Sequence, residues 1–590
     1  MHHVFLVDEL VCQILDNLED TLPENLARLA RTCRSLYQPS VRILWKRLSN
    51  ISPLVRLLPC DAWWIEDITN QYLLVGGQQL FRIKFRRSLR PDDWTVFDKY
   101  SGFVNYIDPG AHRRAEGVDG DLPYRHCWIH METYQTLRDS RCAPLLPYLQ
   151  EIEWRPPMAL AQSAAFLHLH MFLGPALRSV AFVVDGEDVS MPALDTIFHG
   201  LRTKCPLLET IMLRVENNDS PSNFSASLCS HLGSYHALQL IHCPANPLRF
   251  EDIAKLSLLP SLTTLDVVVS PDGGIEADTL ASLQGQHIRS ESRVQWTFAA
   301  LQTLKMADMS MHCIGQLTSF LFPMLQFLEL RCDTSTVSAL EDPLFAIIAS
   351  QCNHETLHKI AIHDERTSGD LVTHPSLAII PSHLRYLLAF RRLRVLSIMA
   401  FPWETEYDDR IVMEMASAWP EIKWLYLNTD VWQIGWKTVS SICATTLSIY
   451  VLTQACPHLW RLAILVDARG NTQFDDIALR MEQSEAPCSL PQQSNLFMLS
   501  LGYSPIDDPD RAARVLSWVL PDSTFIEQGG HWISPKDAEA ELDEAHASDR
   551  EDGVQDTFHA LWVKFSQSLP QYRRMREEER RRALGAEEGQ

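Results

Sequence analysis

Residues 323–331 read PMLQFLELR, and three leucines in that run, Leu325, Leu328 and Leu330, set the pattern for most of the chain. Leu328 and Leu330 flank one variable residue. Side chains alternate along a strand, so these two share a side and Glu329 faces away from it. Pro323 stops a preceding helix and leaves the strand free to begin. The same apolar-x-x-apolar-x-apolar unit occurs at Leu149-Ile152-Trp154, Leu177-Val180-Phe182, Leu208-Ile211-Leu213, Leu238-Ile241-Cys243 and Leu262-Leu265-Val267. It continues at Leu301-Leu304-Met306, Leu357-Ile360-Ile362, Leu393-Leu396-Ile398, Ile422-Leu425-Leu427, Leu459-Leu462-Ile464 and Leu496-Leu499-Leu501, which makes twelve units with the first. Their leading residues run from Leu149 to Leu496, about 32 residues per unit. Proline precedes many of them, as at Pro147, Pro175, Pro206, Pro260, Pro420 and Pro457.

The stretches between units keep helical spacing; Ala193, Leu194, Ile197, Leu201 and Cys205 are one example. One strand and one helix cannot bury their own apolar side, but stacked neighbours can. The expected product is an α/β solenoid with a parallel strand ladder and a strand-lined concave surface. The outward residue of each strand is then a candidate contact for a target protein: Glu153, Met212, His242, Asp266, Lys305, Glu329 and Tyr426, with Ala181, Ala361, Ser397, Ala463 and Ser500 completing the row. The row has no single-sign stripe, so it offers neither a phosphate track nor the clustered arginines that a phosphorylated motif requires. Tyr426, with Trp424 and Trp432 nearby, is the best aromatic anchor, while alternation leaves core and surface equally open for Trp424.

Ahead of the ladder, residues 6–48 read LVDELVCQILDNLEDTLPENLARLARTCRSLYQPSVRILWKRL. The spacing predicts three short helices. Asp8 suits an N-cap of the first, whose stripe is Val7, Leu10, Val11, Ile14, Leu15 and Leu18. Pro23 opens the second, with Leu26, Leu29, Ala30 and Cys33; Pro39 opens the third, with Val41, Leu44, Trp45 and Leu48. So small a bundle needs cover from a partner or from the rest of the chain.

This stretch resembles an F-box, the motif that docks on the adaptor Skp1 in cullin-type ubiquitin ligases. Leu6, Glu9, Leu10 and Val11, then Ile14, Leu15 and Leu18, match the family's L-P-x-E-I/L run and the apolar positions after it. Cys33-Arg34 matches its V-C-K/R element, and Leu44, Trp45 and Leu48 its L-W-x-x-L ending. Val7 stands where the family usually has proline, and Leu36-Tyr37 replaces its tryptophan. The resemblance implies that Leu6, Val7, Leu10, Val11, Ile14, Leu44 and Trp45 serve Skp1 binding, and through Skp1 a cullin. The repeats after it are similar to the irregular leucine-rich repeats of many fungal F-box proteins.

Residues 51–144 read as a helical or irregular bridge. Ser52–Leu58 continues the helix leaving the bundle, Pro91–Tyr106 makes an amphipathic helix, and 108–122 is a loop. Residues 531–590 form an acidic segment and a charged C-terminal helix or tail, with Phe558, Leu561, Trp562 and Phe565 on one helical stripe. The expected domains are thus 1–50, 51–144, 145–530 and 531–590.

A net charge of −22 speaks against general nucleic-acid binding. The basic run Arg82, Lys84, Arg86, Arg87 and Arg90 reads as a solvated face. Fourteen cysteines without a C-x-x-C pair, several of them (Cys205, Cys332, Cys456) inside repeat units, fit small buried thiols of a reducing compartment. The first residues lack a secretory pattern, and the most apolar region, 158–184, is interrupted by His168, His170 and Arg178, so no membrane span is expected. The protein is expected in the cytoplasm, the nucleus or both. No nucleophile elbow, zinc-protease motif, P-loop or dinucleotide fingerprint occurs. His126, Cys127 and His130, or His168 and His170, lack the second ligand pair of a zinc site. No catalytic residue, metal or cofactor is expected. The sequence therefore reads as a non-catalytic substrate receptor of a Skp1–cullin–F-box ligase; the alternative is a leucine-rich-repeat scaffold without a ligase role.

Overall fold

The computed structural model describes residues 11, 13–15, 23–68, 81–108, 127–141, 143–155, 167–184, 191–215, 228, 231, 235–270, 295–333, 343–364, 381–399, 407–427, 443–469, 495–502, 504–521, 523–527 and 553–587. Two compact units comprise Met1–Leu248 with Lys255–Val268, and Arg249–Ala254 with Val269–Gln590.

In the first unit, helix Pro23–Ala30 opens on its proline as expected. The next helix runs Arg34–Lys46 and holds Pro39 inside it rather than at its start. The Tyr37 N–H already bonds the Cys33 carbonyl at 3.2 Å, so a turn exists before the proline arrives. Pro39 forfeits only its own bond to the preceding turn, and its fixed φ suits the helix. The helix then gives way to a strand, β1 (Arg47–Leu48), because Arg47 is already extended at φ −123° and ψ 122°. Ser52–Val55 is consequently a separate one-turn helix with proline in its first turn, not a continuation.

β2 (Trp63–Asp67) pairs antiparallel with β3 (Phe81–Phe85). The helix expected over 91–106 is shorter: a 3-10 turn, Pro91–Asp93, leads into helix Trp94–Ser101. It stops at Gly102, and β4 (Tyr106–Ile107) follows. β5 (Cys127–Ile129) joins β3 in parallel, and helix Met131–Ser140 is tied to that small sheet by the Thr133 hydroxyl, which donates to the Ile83 carbonyl at 2.9 Å.

The remaining strands of this unit, β6 (Glu151–Trp154), β7 (Ser179–Val184), β8 (Thr210–Val215), β9 (Leu240–Leu248) and β10 (Thr264–Val269), extend a ladder that starts with β1 and β4. From β1 through β9 the strands pair in parallel and align one buried column: Leu48, Ile107, Ile152, Val180, Ile211 and Ile241. The ladder thus begins at Arg47, ahead of residue 145 where the sequence pattern becomes visible.

In the second unit, β11 (Trp296–Thr297) pairs in parallel with β13 (Phe320–Leu321) in a separate two-stranded sheet. The ladder itself is β12 (Thr303–Ser310), β14 (Phe327–Asp333), β15 (Lys359–Asp364), β16 (Val395–Met399), β17 (Trp424–Leu427), β18 (Arg461–Ile464), β19 (Met498–Ser500) and β20 (Phe525–Glu527), parallel throughout. Leu304, Leu328, Ile360, Leu396, Leu425, Leu462 and Leu499 form its buried column. Asp308, at φ 54°, sits where the β12–β14 register slips, a bulge that needs the left-handed conformation Asp tolerates.

One hydrogen-bond motif repeats at the strand starts of both units. The Gln150 carbonyl accepts from the N–H groups of Arg178 (2.7 Å) and Ser179 (2.9 Å); the Arg394 carbonyl accepts from Lys423 (2.7 Å) and Trp424 (3.1 Å). Both lone pairs of one carbonyl are used at each step, so each strand inherits its register from the one before. Helices Leu344–Gln351, Asp409–Ala418, Thr446–Ala455 and Pro509–Val519 bury apolar faces behind the second unit's strands. The C-terminal helix, Gly553–Glu587, lies against Pro509–Val519: Trp562 donates its indole N–H to the Ser504 carbonyl at 2.7 Å, and the Arg576 guanidinium sits 3.8 Å over the Trp518 ring. Among the described residues no helix is long and apolar enough to cross a membrane.

Candidate functional site

The leading bundle is built around Val11, Leu15, Leu26 and Ile43, with Leu29, Leu36 and Leu44 packed on them. Val11 is therefore interior and Leu44 half-buried. Ile14 lies on the other side of the same turn and keeps 43% of its surface. Trp45 turns toward the chain's own helix 94–101; its ring is 4.9 Å from Tyr100. The Tyr100 hydroxyl faces that of Tyr37 at 3.5 Å. Leu6, Val7 and Leu10 lie outside the described residues. Of the described docking candidates, Ile14 is the exposed one, and Tyr37, at 41%, is a second exposed apolar group on the bundle.

The register puts the candidate target contacts in one row per unit. Glu153, Ala181, Met212 and His242 occupy matching positions on β6 to β9. Lys305, Glu329, Ala361, Ser397, Tyr426, Ala463 and Ser500 do so on β12 to β19. Much of the charge in these rows is satisfied within the chain. Arg214 on β8 reaches across β7 to Glu153 on β6 at 2.7 Å, and His242 meets Asp266 at 2.8 Å. Glu329 takes Arg331 at 3.1 Å and Lys305 at 3.7 Å. Lys359 lies 4.2 Å over the Phe327 ring, and burial lowers its pKa from the ordinary value. Ala181, Ala361, Ala463 and Ser500 are buried and interrupt the rows.

At the starts of β17, β18 and β19 the surface changes. Trp424, Trp460 and Phe497 are exposed by 37%, 40% and 44%. Their rings stand in file: Trp424 to Trp460 at 6.0 Å and 29°, Trp460 to Phe497 at 5.3 Å and 6°. The Arg461 guanidinium lies 5.8 Å over Trp424 and 5.6 Å over Tyr426, and its Nε reaches the Met498 sulfur at 2.9 Å. Trp424, left open between core and surface by alternation alone, is a surface residue. Trp432 lies outside the described residues. Sequence reasoning missed Trp460, Phe497 and Arg461 because it compared only the residue between the two inner positions of each unit. Aligning the column just after each leading residue, where Gln302, Gln326, His358, Arg394 and Lys423 precede Trp460 and Phe497, would have shown a polar column turning aromatic.

Among the described residues no three His, Cys, Asp or Glu side chains gather as a metal site. His126 is outside them, and His130 caps its helix by accepting from the Glu132 N–H at 3.3 Å. His168 is buried against Tyr134, and that burial holds its imidazole down to about 4. The His170 ring meets the Lys204 ammonium at 3.0 Å. Cys205, Cys243, Cys352 and Cys456 are buried free thiols, each pushed up to about 12 by desolvation.

A family model described as F-box-like matches residues 8–51, so the front of the chain is an F-box-like domain. No curated protein matches the chain. Among solved structures, a crystal structure of a TLR13–ssRNA13 complex is similar with a TM-score of 0.19 and 10% identity, over 68% of this chain and 63% of that one. The chain thus spans less than two thirds of that structure's chain.

Proposed function

We propose that this protein is the non-catalytic recognition subunit of a Skp1–cullin–F-box type ubiquitin ligase. The F-box-like domain binds a Skp1-like adaptor, and the strand ladder holds a target protein. The observation that carries the reading is the junction at residues 44–48: the F-box-like helix ends and, within two residues, the chain becomes the first rung of the ladder. A docking bundle and a repeat surface joined without a linker suit a subunit that holds its target at a set distance from the adaptor. The gain is proximity, since a tethered lysine meets the charged conjugating enzyme at high effective concentration. Ile14 is the central adaptor contact, with Leu6, Val7 and Leu10 ahead of it in the sequence and Leu44 packed on the bundle core; the target rests on the outward rows. The subunit works in the cytoplasm, the nucleus or both.

Co-purification with a Skp1-like adaptor tests this. The wild type retains the adaptor, and Ile14→Asp, an exposed position whose change leaves the bundle core intact, loses at least about tenfold of the recovery, as burial of an unpaired charge at a contact demands. Equal recovery of the adaptor by both proteins overturns the docking assignment.

A further inference from the structure

We propose that the file of rings Trp424, Trp460 and Phe497, with Arg461 beside it and the exposed Lys423 one residue before Trp424, seats an extended acidic segment of the target protein that carries proline or aromatic rings. This deepens the reading of the ladder as the target-binding surface and rests on it.

Three observations point to that chemistry. Trp460 has Trp424 on one side and Phe497 on the other, so its faces are turned to its neighbours and its edge is left outward. Ring edges carry the positive end of the aromatic quadrupole, which favours carboxylates and the faces of other rings. Second, the cations here rest on rings or stand exposed without a carboxylate. Among the described residues neither Arg461 nor Lys423 has a carboxylate within ion-pair distance, whereas Arg214, Lys305 and Arg331 elsewhere on the ladder do, and Arg394, the residue just before β16, is paired with Glu421. Third, the protein as a whole carries a charge of −22, so a seat for an acidic segment depends on local cations such as these. A single-stranded nucleic acid fits less well. It needs a free ring face for each base and a row of cations along its phosphates.

The test uses the full chain without adaptor and follows fluorescence anisotropy of labelled probes. One short peptide alternates Asp-Glu with Trp-Pro; a second has Lys for the acids; a third has Ala for the rings; a fourth probe is oligouridylate. The acidic aromatic peptide is expected to bind the wild type, with the Ala peptide weaker. Trp460→Ala and Arg461→Glu each weaken it about tenfold or more, as loss of an anchor residue does. Arg461→Glu is expected to gain affinity for the Lys peptide, which also shows that the variant is folded. The proposal is overturned if the acidic peptide fails to bind, if it binds wild type and both variants alike, or if oligouridylate binds in its place. Because no adaptor is present, failure here is separate from failure of adaptor capture by Ile14→Asp.

Discussion

Asp93 shows at one residue how the first unit uses its charges. Arg87 grips both of its oxygens, at 2.6 and 3.0 Å, and the Arg90 N–H donates to it at 2.7 Å. Arg87 also reaches Asp61 at 2.8 Å. The Arg87 hydrogen bonds, followed by the backbone donor, hold the nearly buried Asp93 carboxyl down to about 2 from its ordinary 3.8. The folded-state value lies below the unfolded one, so this group stabilises the fold above about pH 4, and the contribution is lost as pH falls through 4 toward 2. Arg87→Ala is expected to move acid unfolding, followed by circular dichroism, to a higher pH; an unchanged midpoint would remove the pair from any part in stability. The run Arg82–Arg90 looked like a solvated face in sequence because its acids, Glu66, Asp61 and Asp93, come from other turns and strands. Arg82 and Lys84 meet Glu66 at 2.7 and 3.0 Å. Trp45 and Trp424 make the complementary point. Both sit in apolar patterns, yet one rests on Tyr100 and the other stands at the surface, a difference set by what lies opposite each of them.

Among the elements, the helices behind β17 and β18 are locked by two adjacent aspartates with separate tasks. Asp408 caps its own helix, accepting from the Ile411 N–H at 2.9 Å. Asp409, one residue on, reaches the start of the next module's helix. It accepts from the Thr445 N–H at 2.8 Å, the Thr445 hydroxyl at 2.7 Å and the Ser448 hydroxyl at 2.5 Å. A carboxylate with three such donors contributes more than an ordinary cap. Asp408→Ala is expected to cost about 1 kcal/mol, and Asp409→Ala about 2–3 kcal/mol, read from urea unfolding; equal losses would refute the clamp between modules. The elements legible in sequence were the twelve full units, each of which is a strand of the ladder. The missing ones, β1, β4 and β20, are short. In β4 the motif survives only as Val104 and Ile107 before Pro109, and in β20 Ser523 stands three residues before Ile526, where the other units lead with leucine or isoleucine. Their neighbours supply the register that their own residues do not encode.

At the scale of the whole molecule, the C-terminal helix decides how the second unit ends. Trp562, Val563, Phe565 and Leu569 are buried, and Ser568 bonds Asp510 at 2.6 Å. An open ladder end exposes apolar surface, and a helix with one polar side closes it. Each large side chain buried there contributes about 1.5–3 kcal/mol. A chain ending at residue 552 is therefore expected to unfold at a lower temperature, to bind a hydrophobic dye and to self-associate on gel filtration; a monomer with an unchanged midpoint would show that the helix is dispensable. The sequence described this helix by its stripe and its charged tail but not by its role, since a stripe says that one side is covered and not by what. By itself, the sequence determined which residues face inward, how many full strand modules follow one another, and that an F-box-like bundle leads them. Those properties reside in consecutive residues, because alternation along a strand and spacing along a helix are local. Tertiary structure alone decided that the bundle's last turn becomes the first rung, that the charges of the outward rows are largely paired, and that Trp424, Trp460 and Phe497 stand together. These depend on register between strands about 30 residues apart, and that register is set by hydrogen bonds between modules rather than by any one module's residues.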